Sequence, residues 1–185
     1  MHEIEVKATL RDRDSIMEKL RELGCEFSKS VTQDDTLYAE RVGSIEEYNA
    51  NAAFLRIRVT DGAKVLFTLK YDKDSEGDPH TTPIEHEVEI DSREEMEKII
   101  FALGQQEMLR IKKTRMKTKH KEWEICIDEV EGLGSFIEVE EMGSIDDASR
   151  IHEDMLAFLG KLGIAQEDMF TKRYDILLLE KQGKV

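Results

Sequence analysis

This chain has little from which a cross-linked, thiolate-metal or membrane-spanning protein could be made. It holds two cysteines, Cys25 and Cys126. Two make neither a disulfide framework nor a four-ligand zinc site. Both are expected to be reduced thiols in a core or sheet wall, as suits a cytoplasmic protein. No apolar run approaches the ~18 residues of a membrane-spanning helix. The start of the chain lacks the basic stretch and apolar run of a secretory signal. Its five histidines show no metal-ligand spacing, no serine or cysteine sits in a nucleophile motif, and there is no glycine-rich phosphate loop. Positive charge is scarce: 27 Lys and Arg face 41 Asp and Glu, a net charge of −14. That excludes the basic footprint of a nucleic-acid surface, and no membrane partner is expected either.

What remains is a chain of 185 residues, 39% hydrophobic and 37% charged. It is charge-rich but globular, and residues 1–185 are expected to form one domain with a sizeable core. The charges are patterned. In the opening Met1-His2-Glu3-Ile4-Glu5-Val6-Lys7 a strand's period of two puts Glu3, Glu5 and Lys7 on one face and Ile4, Val6 and Ala8 on the other. Later strands repeat the device. Ala52 to Thr60 and Ala63 to Tyr71 flank Asp61-Gly62, a tight-hairpin signal; Phe54, Arg56 and Arg58 share one face, and Leu66, Thr68 and Lys70 share another. Glu85, Glu87 and Glu89 align in Ile84 to Ile90. Gln105 to Lys119 and Trp123 to Val130 form an extended pair, with seven Lys or Arg between Arg110 and Lys121. Phe136 to Met142 carries Glu138 and Glu140.

Helices are expected over Arg11 to Leu23, after the capping box Ser92-Arg93-Glu94-Glu95, over Ile145 to Leu162, and over Lys172 to Gln182. Asp72 to Pro83, which holds both prolines, reads as a mobile loop and candidate lid. Three times the chain writes Glu-x-Glu in a strand, then a helix, then Leu-Gly: Glu3/Glu5 to Leu23-Gly24, Glu85/Glu87 to Leu103-Gly104, and Glu138/Glu140 to Leu162-Gly163. The spacing is uneven, so this is no solenoid. It suggests related halves of one sheet, each presenting carboxylates inward.

Paired acids and paired bases at i, i+2 suit one kind of ligand. Arginine forks match phosphate oxygens and lysine supplies a point charge. Mg²⁺ and Mn²⁺ prefer carboxylate oxygens and complete their shells with water or substrate phosphates. A sheet whose charged faces converge would line a wide, wet polar tunnel fit for a metal-chelated polyphosphate.

In order, the E-x-E-x-K start, R-I-R, T-L-K, E-H-E-V-E-I-D, K-T-R, I-D-E-V-E-G-L-G-S-F-I-E-V-E and the closing T-K-R-Y resemble the CYTH superfamily, the triphosphate tunnel metalloenzymes. Each motif alone is weak; the ordered series, from Glu3 to Tyr174, is specific. The resemblance implies an α+β fold: a closed antiparallel β-barrel of about eight strands, forming a polar tunnel with helices packed outside. It implies Mg²⁺ or Mn²⁺ held by Glu3, Glu5, Glu138 and Glu140, with Asp128 near the metal and the reaction. Arg56, Arg58, Lys70, Lys113, Arg115 and Lys172 or Arg173 would grip phosphates. Glu85 and Glu87 would organise those cations or orient a nucleophile, and Lys7 would accept a proton or stabilise the leaving group. The stretch Asp128 to Glu140, with Gln33 and Asp35, is most similar to the class IV adenylyl cyclase branch, which converts ATP to cyclic AMP and pyrophosphate. The triphosphatase branch, acting on tripolyphosphate or thiamine triphosphate, shares almost all the charged positions and stays open. So does a non-catalytic polyphosphate- or nucleotide-binding module. A homodimer is compatible with the sequence, though no stretch demands one.

Overall fold

A computed structural model describes residues 2–50, 53–71 and 84–183. The candidate lid, Asp72 to Pro83, lies outside the described residues. The described residues form nine strands and five α-helices. The strands are β1 (His2–Thr9), β2 (Val31–Ala39), β3 (Ala53–Thr60), β4 (Lys64–Tyr71), β5 (Ile84–Glu89), β6 (Gln106–His120), β7 (Trp123–Val130), β8 (Gly134–Gly143) and β9 (Met169–Phe170). The helices are α1 (Arg13–Glu22), α2 (Ile45–Ala50), α3 (Arg93–Ala102), α4 (Ala148–Lys161) and α5 (Tyr174–Gln182). The hydrogen-bonded order is β5-β4-β3-β2-β6-β7-β8-β1-β9, and β1 with β8 and β9, β2 with β3, β3 with β4, β4 with β5, and β7 with β8 all pair antiparallel.

This α+β architecture corrects one expectation. Among the described residues the nine strands run in open order with no ladder closing the sheet, where a closed barrel of about eight was expected. Its ends explain why the ladders stop. β9 is two residues long and, among the described residues, pairs only with Lys7 and Ala8. β5 presents exposed Glu85, Glu87 and Glu89, and charged side chains on an edge strand discourage further pairing. Among the described residues no helix is long and apolar enough to cross a membrane.

The described residues fall into two compact units. The first comprises residues 2–31 and 114–172, with β1, β7, β8 and β9. Here Ile4, Val6 and Ala8, Ile125 and Ile127, and Ile137 and Val139 turn to one face of the sheet. They pack with Ile16, Met17 and Leu20 of α1 and with Ile151, Met155, Phe158 and Leu159 of α4. The other face carries the charges. The second unit comprises residues 32–71, 84–113 and 173–183, with β2 to β5, α2, α3 and α5. Tyr38, Ile57 and Ile100 form its small core, with Leu55, Val65, Phe67 and Met96 packed around it.

The three Leu-Gly echoes are three copies of one helix ending. Gly24, Gly104 and Gly163 all take positive φ, +83°, +85° and +87°. Each donates to the carbonyl three residues back, and the next residue to the carbonyl five back, as in Gly24 to Arg21 (2.9 Å) and Cys25 to Leu20 (3.0 Å). This is the paired-bond helix stop that glycine favours. The α3 copy differs in packing. Ile99 and Leu103 are more than half exposed, and only Ile100 is buried.

Gly143, at the end of β8, makes a sharper prediction. A Cβ there would stand 2.6 Å from Ile4 Cδ1 and 2.7 Å from Ile151 Cδ1. Gly143→Ala is therefore expected to lower stability by roughly 1–3 kcal/mol through overpacking. Chemical denaturation checks it, and an unchanged midpoint would mean that β1 and α4 yield at no cost.

Candidate active site

In the first unit, register lines up the charges across three strands. Glu5 of β1 stands opposite Glu140 of β8, which stands opposite Glu124 of β7. One row along, Lys7 faces Glu138 and Glu138 faces Cys126. Ligand oxygens of Glu3, Glu5 and Glu140 lie within 4.8 Å of one another. Three carboxylates so close, all on oxygen, fit a hard divalent cation such as Mg²⁺ or Mn²⁺.

The same crowding acts on Glu140. Burial, contact with Glu124 and the charges of Glu3 and Glu138 push its carboxyl up to about 8, against the pull of Arg115. Between its ordinary value of 4.5 and about 8 the folded chain holds a proton that the unfolded chain has released. Stability contributed by this group therefore falls as pH rises through that window. Denaturation midpoints from about pH 5 to about pH 9 should decline in the native chain and decline less in Glu140→Gln. Identical slopes would contradict the assignment.

Beside this trio, Arg115 of β6 makes a fork on Asp128, Nε to Oδ1 at 2.7 Å and Nη2 to Oδ2 at 2.5 Å, and also binds Glu138. Asp128 is fully buried, Glu138 and Arg115 nearly so. Of the five residues expected near metal, then, Glu3, Glu5 and Glu140 come together, while Asp128 and Glu138 are held on Arg115. Lys7 donates to Glu5. Burial alone would lower its pKa, but Glu5 and Glu138 outweigh burial and hold the ammonium above its usual range. That environment is opposite to the one a basic, proton-accepting lysine needs.

In the second unit the cations stand in a row of their own. Arg58 forks onto Asp35 at 2.7 and 2.6 Å. Burial would raise the Asp35 carboxyl, but that fork, with Arg56 and Lys113 nearby, holds it below its ordinary range. Arg56, Thr68 and Glu87 are register partners along β3, β4 and β5. Arg56 Nη2 reaches Thr68 (3.2 Å), Glu85 (3.1 Å) and Glu87 (2.9 Å). Its buried Nε has no hydrogen-bond partner among the described residues. Lys70 pairs with Glu85. Lys113 stands 5.1 Å over the Tyr174 ring. Arg173 forks onto Asp175 at 3.1 and 3.0 Å, and Lys172, in the first unit, is exposed.

Sequence reasoning placed Asp35 only through resemblance and passed over Glu124. A signal existed for both. Each falls on the charged face of its strand by the period of two, Asp35 with Gln33, and Glu124 with Cys126 and Asp128.

The domain model of the CYTH family matches residues 1–174, so the chain belongs to the CYTH family. It is 32% identical over 175 residues to a protein of Methanocaldococcus jannaschii named "Putative adenylate cyclase", covering 94% of this chain and 97% of that one. Among solved structures it is similar to a Pyrococcus horikoshii OT3 protein, with 33% identity, a TM-score of 0.78, and 97% and 99% of the two chains covered. A Hippeastrum protein under the same provisional cyclase name, described as revealing a dominant triphosphatase activity, shares the fold. That likeness has 18% identity, a TM-score of 0.66, and 100% of this chain and 97% of that one covered.

Proposed function

We propose that the chain is a divalent-metal-dependent enzyme acting on triphosphates, and that its reaction is the cyclisation of ATP to cyclic AMP and pyrophosphate. The observation that carries this reading is the trio Glu3, Glu5 and Glu140, whose oxygens converge within 4.8 Å. When bound there, Mg²⁺ or Mn²⁺ would neutralise charge on phosphoryl oxygens. Arg56, Arg58, Lys70 and Lys113 supply the cations for a polyphosphate. Arg115 spends its fork on Asp128 and Glu138 and so organises the acids. Lys7, held charged, acts as a cation toward a leaving phosphate oxygen rather than as a proton acceptor. In the reaction, the ribose 3′-hydroxyl gives up its proton to water, its oxygen forms a bond to the α-phosphorus, and the bond to pyrophosphate breaks. Cyclisation is supported by the 32% identity to the M. jannaschii protein of that name.

A second reading uses the same residues: water attacks the terminal phosphorus, its bond to the bridging oxygen breaks, and orthophosphate and the shortened diphosphate are released. The description of the Hippeastrum protein supports it. Incubation with ATP, tripolyphosphate and thiamine triphosphate, each with Mg²⁺ or Mn²⁺, separates the two. Cyclic AMP with pyrophosphate is the expected result. Orthophosphate from tripolyphosphate with no cyclic product replaces the first reading with the second, and no turnover of any substrate leaves only a binding module.

Arg56 gives a further test. Losing a guanidinium that grips phosphate, Arg56→Ala is expected to raise the KM for triphosphate about tenfold or more, the ~1.5–3 kcal/mol of a hydrogen bond to a charged group. An unchanged KM would remove Arg56 from substrate binding.

A further inference from the structure

Lys113 reaches the second unit's charged row from β6, and its surroundings are unusual for a lysine. It is 7% exposed, and its ammonium lies 5.1 Å from the centroid of the Tyr174 ring. A buried ring face can hold a cation in place without neutralising it.

Tyr174 is itself tied down. It is the first residue of α5, and its neighbours on both sides are locked. Asp175, 3% exposed, accepts from the Tyr48 hydroxyl of α2 at 2.8 Å and from the Arg173 fork. Arg173 in turn lies 5.0 Å over Phe54 and 5.9 Å over Tyr48. The closing T-K-R-Y motif therefore ends in an anchor made of Arg173 and Asp175, which fixes the start of α5 and presents the ring.

From this geometry we infer that Tyr174 is a positioning residue for Lys113, and that Arg173, Asp175 and Tyr48 exist to aim it. The inference rests on the reading of Lys113 as a phosphate-gripping cation. It also gives Arg173 a different task from the phosphate contact that sequence suggested.

The test is the affinity for tripolyphosphate with Mg²⁺, measured by calorimetry on the full chain. Tyr174→Leu is expected to weaken binding about fivefold, the ~1 kcal/mol of a partly buried cation–ring contact, while Tyr174→Phe, which keeps the ring, binds as the native chain does. In the Lys113→Met background the Leu change should cost nothing further, because the group it positions is gone. An equal loss from Tyr174→Leu with and without Lys113 overturns the inference, since a merely structural tyrosine would behave so. Should Lys113→Met bind as tightly as the native chain, the phosphate-gripping role of Lys113 falls and the inference with it. Absence of any binding by the native chain overturns the triphosphate reading first. If Tyr174→Leu does not fold, magnetic resonance on the native chain still decides. The ε-protons of Lys113 must be shifted upfield by the ring, equally so in Tyr174→Phe, and an ordinary position overturns the proposal.

Discussion

Arg115→Met is expected to destabilise the first unit by roughly 3–5 kcal/mol, the cost of leaving buried charge without its partner. The geometry makes this a severe case. The guanidinium satisfies both oxygens of Asp128, which has no exposed surface, and one oxygen of Glu138, which is 5% exposed. Methionine matches the stem of arginine in length and removes the charge. Two acids then lose their shared cation, close to Glu140, which is already forced to hold its proton to about pH 8. The pair of substitutions Arg115→Met with Asp128→Asn should recover part of the loss, because the more deeply buried charge is removed together with its partner. Urea denaturation of the two variants checks both statements. A loss below about 1 kcal/mol would mean that Asp128 and Glu138 find other partners, or water, at little cost.

Glu140→Gln is expected to behave in the opposite way. Metal-dependent turnover should fall by about a hundredfold or more, the upper end of what changes around a bound metal cost. Stability above about pH 8 should hold or rise. Glutamine keeps the shape and loses the charge that burial, Glu124, Glu3 and Glu138 resist, so the acidic face relaxes. Loss of activity joined to a gain in stability marks a residue kept for its chemistry, not its packing. Activity and thermal midpoint measured on the same preparation give the answer. Unchanged turnover would take Glu140 out of the metal site; a collapsed midpoint would make it a structural residue.

The polar and oily faces of the strands were legible because a strand repeats every two residues. Ile4, Val6 and Ala8 had to point together, and so did Glu3, Glu5 and Lys7. The helix ends were legible for a local reason too: glycine is the residue that tolerates positive φ, and Gly24, Gly104 and Gly163 sit where it is needed. Pairing across strands was not legible. Arg115 meets Asp128 and Glu138 over separations of 13 and 23 residues, and only register, a property of the folded sheet, sets those meetings. The same holds for Arg58 and Asp35, and for Glu124 beside Glu140. β9 was missed because two residues carry no periodicity. The lock beside Arg173 was not legible either, because Tyr48 and Asp175 meet from 127 residues apart. The open strand order ran against the closed barrel of the family resemblance, because the edges that decide it, β5 and β9, are an acidic strand and a two-residue one.

Calorimetric titration of Mn²⁺ into the metal-free chain near pH 7 asks most directly whether the converging carboxylates form a metal site. The account predicts saturable binding that releases close to one proton, since Glu140 must give up its proton to bind, and that weakens sharply in Glu3→Gln, Glu5→Gln and Glu140→Gln alike. Saturable binding left intact by all three substitutions, or no saturable binding at all, would contradict it.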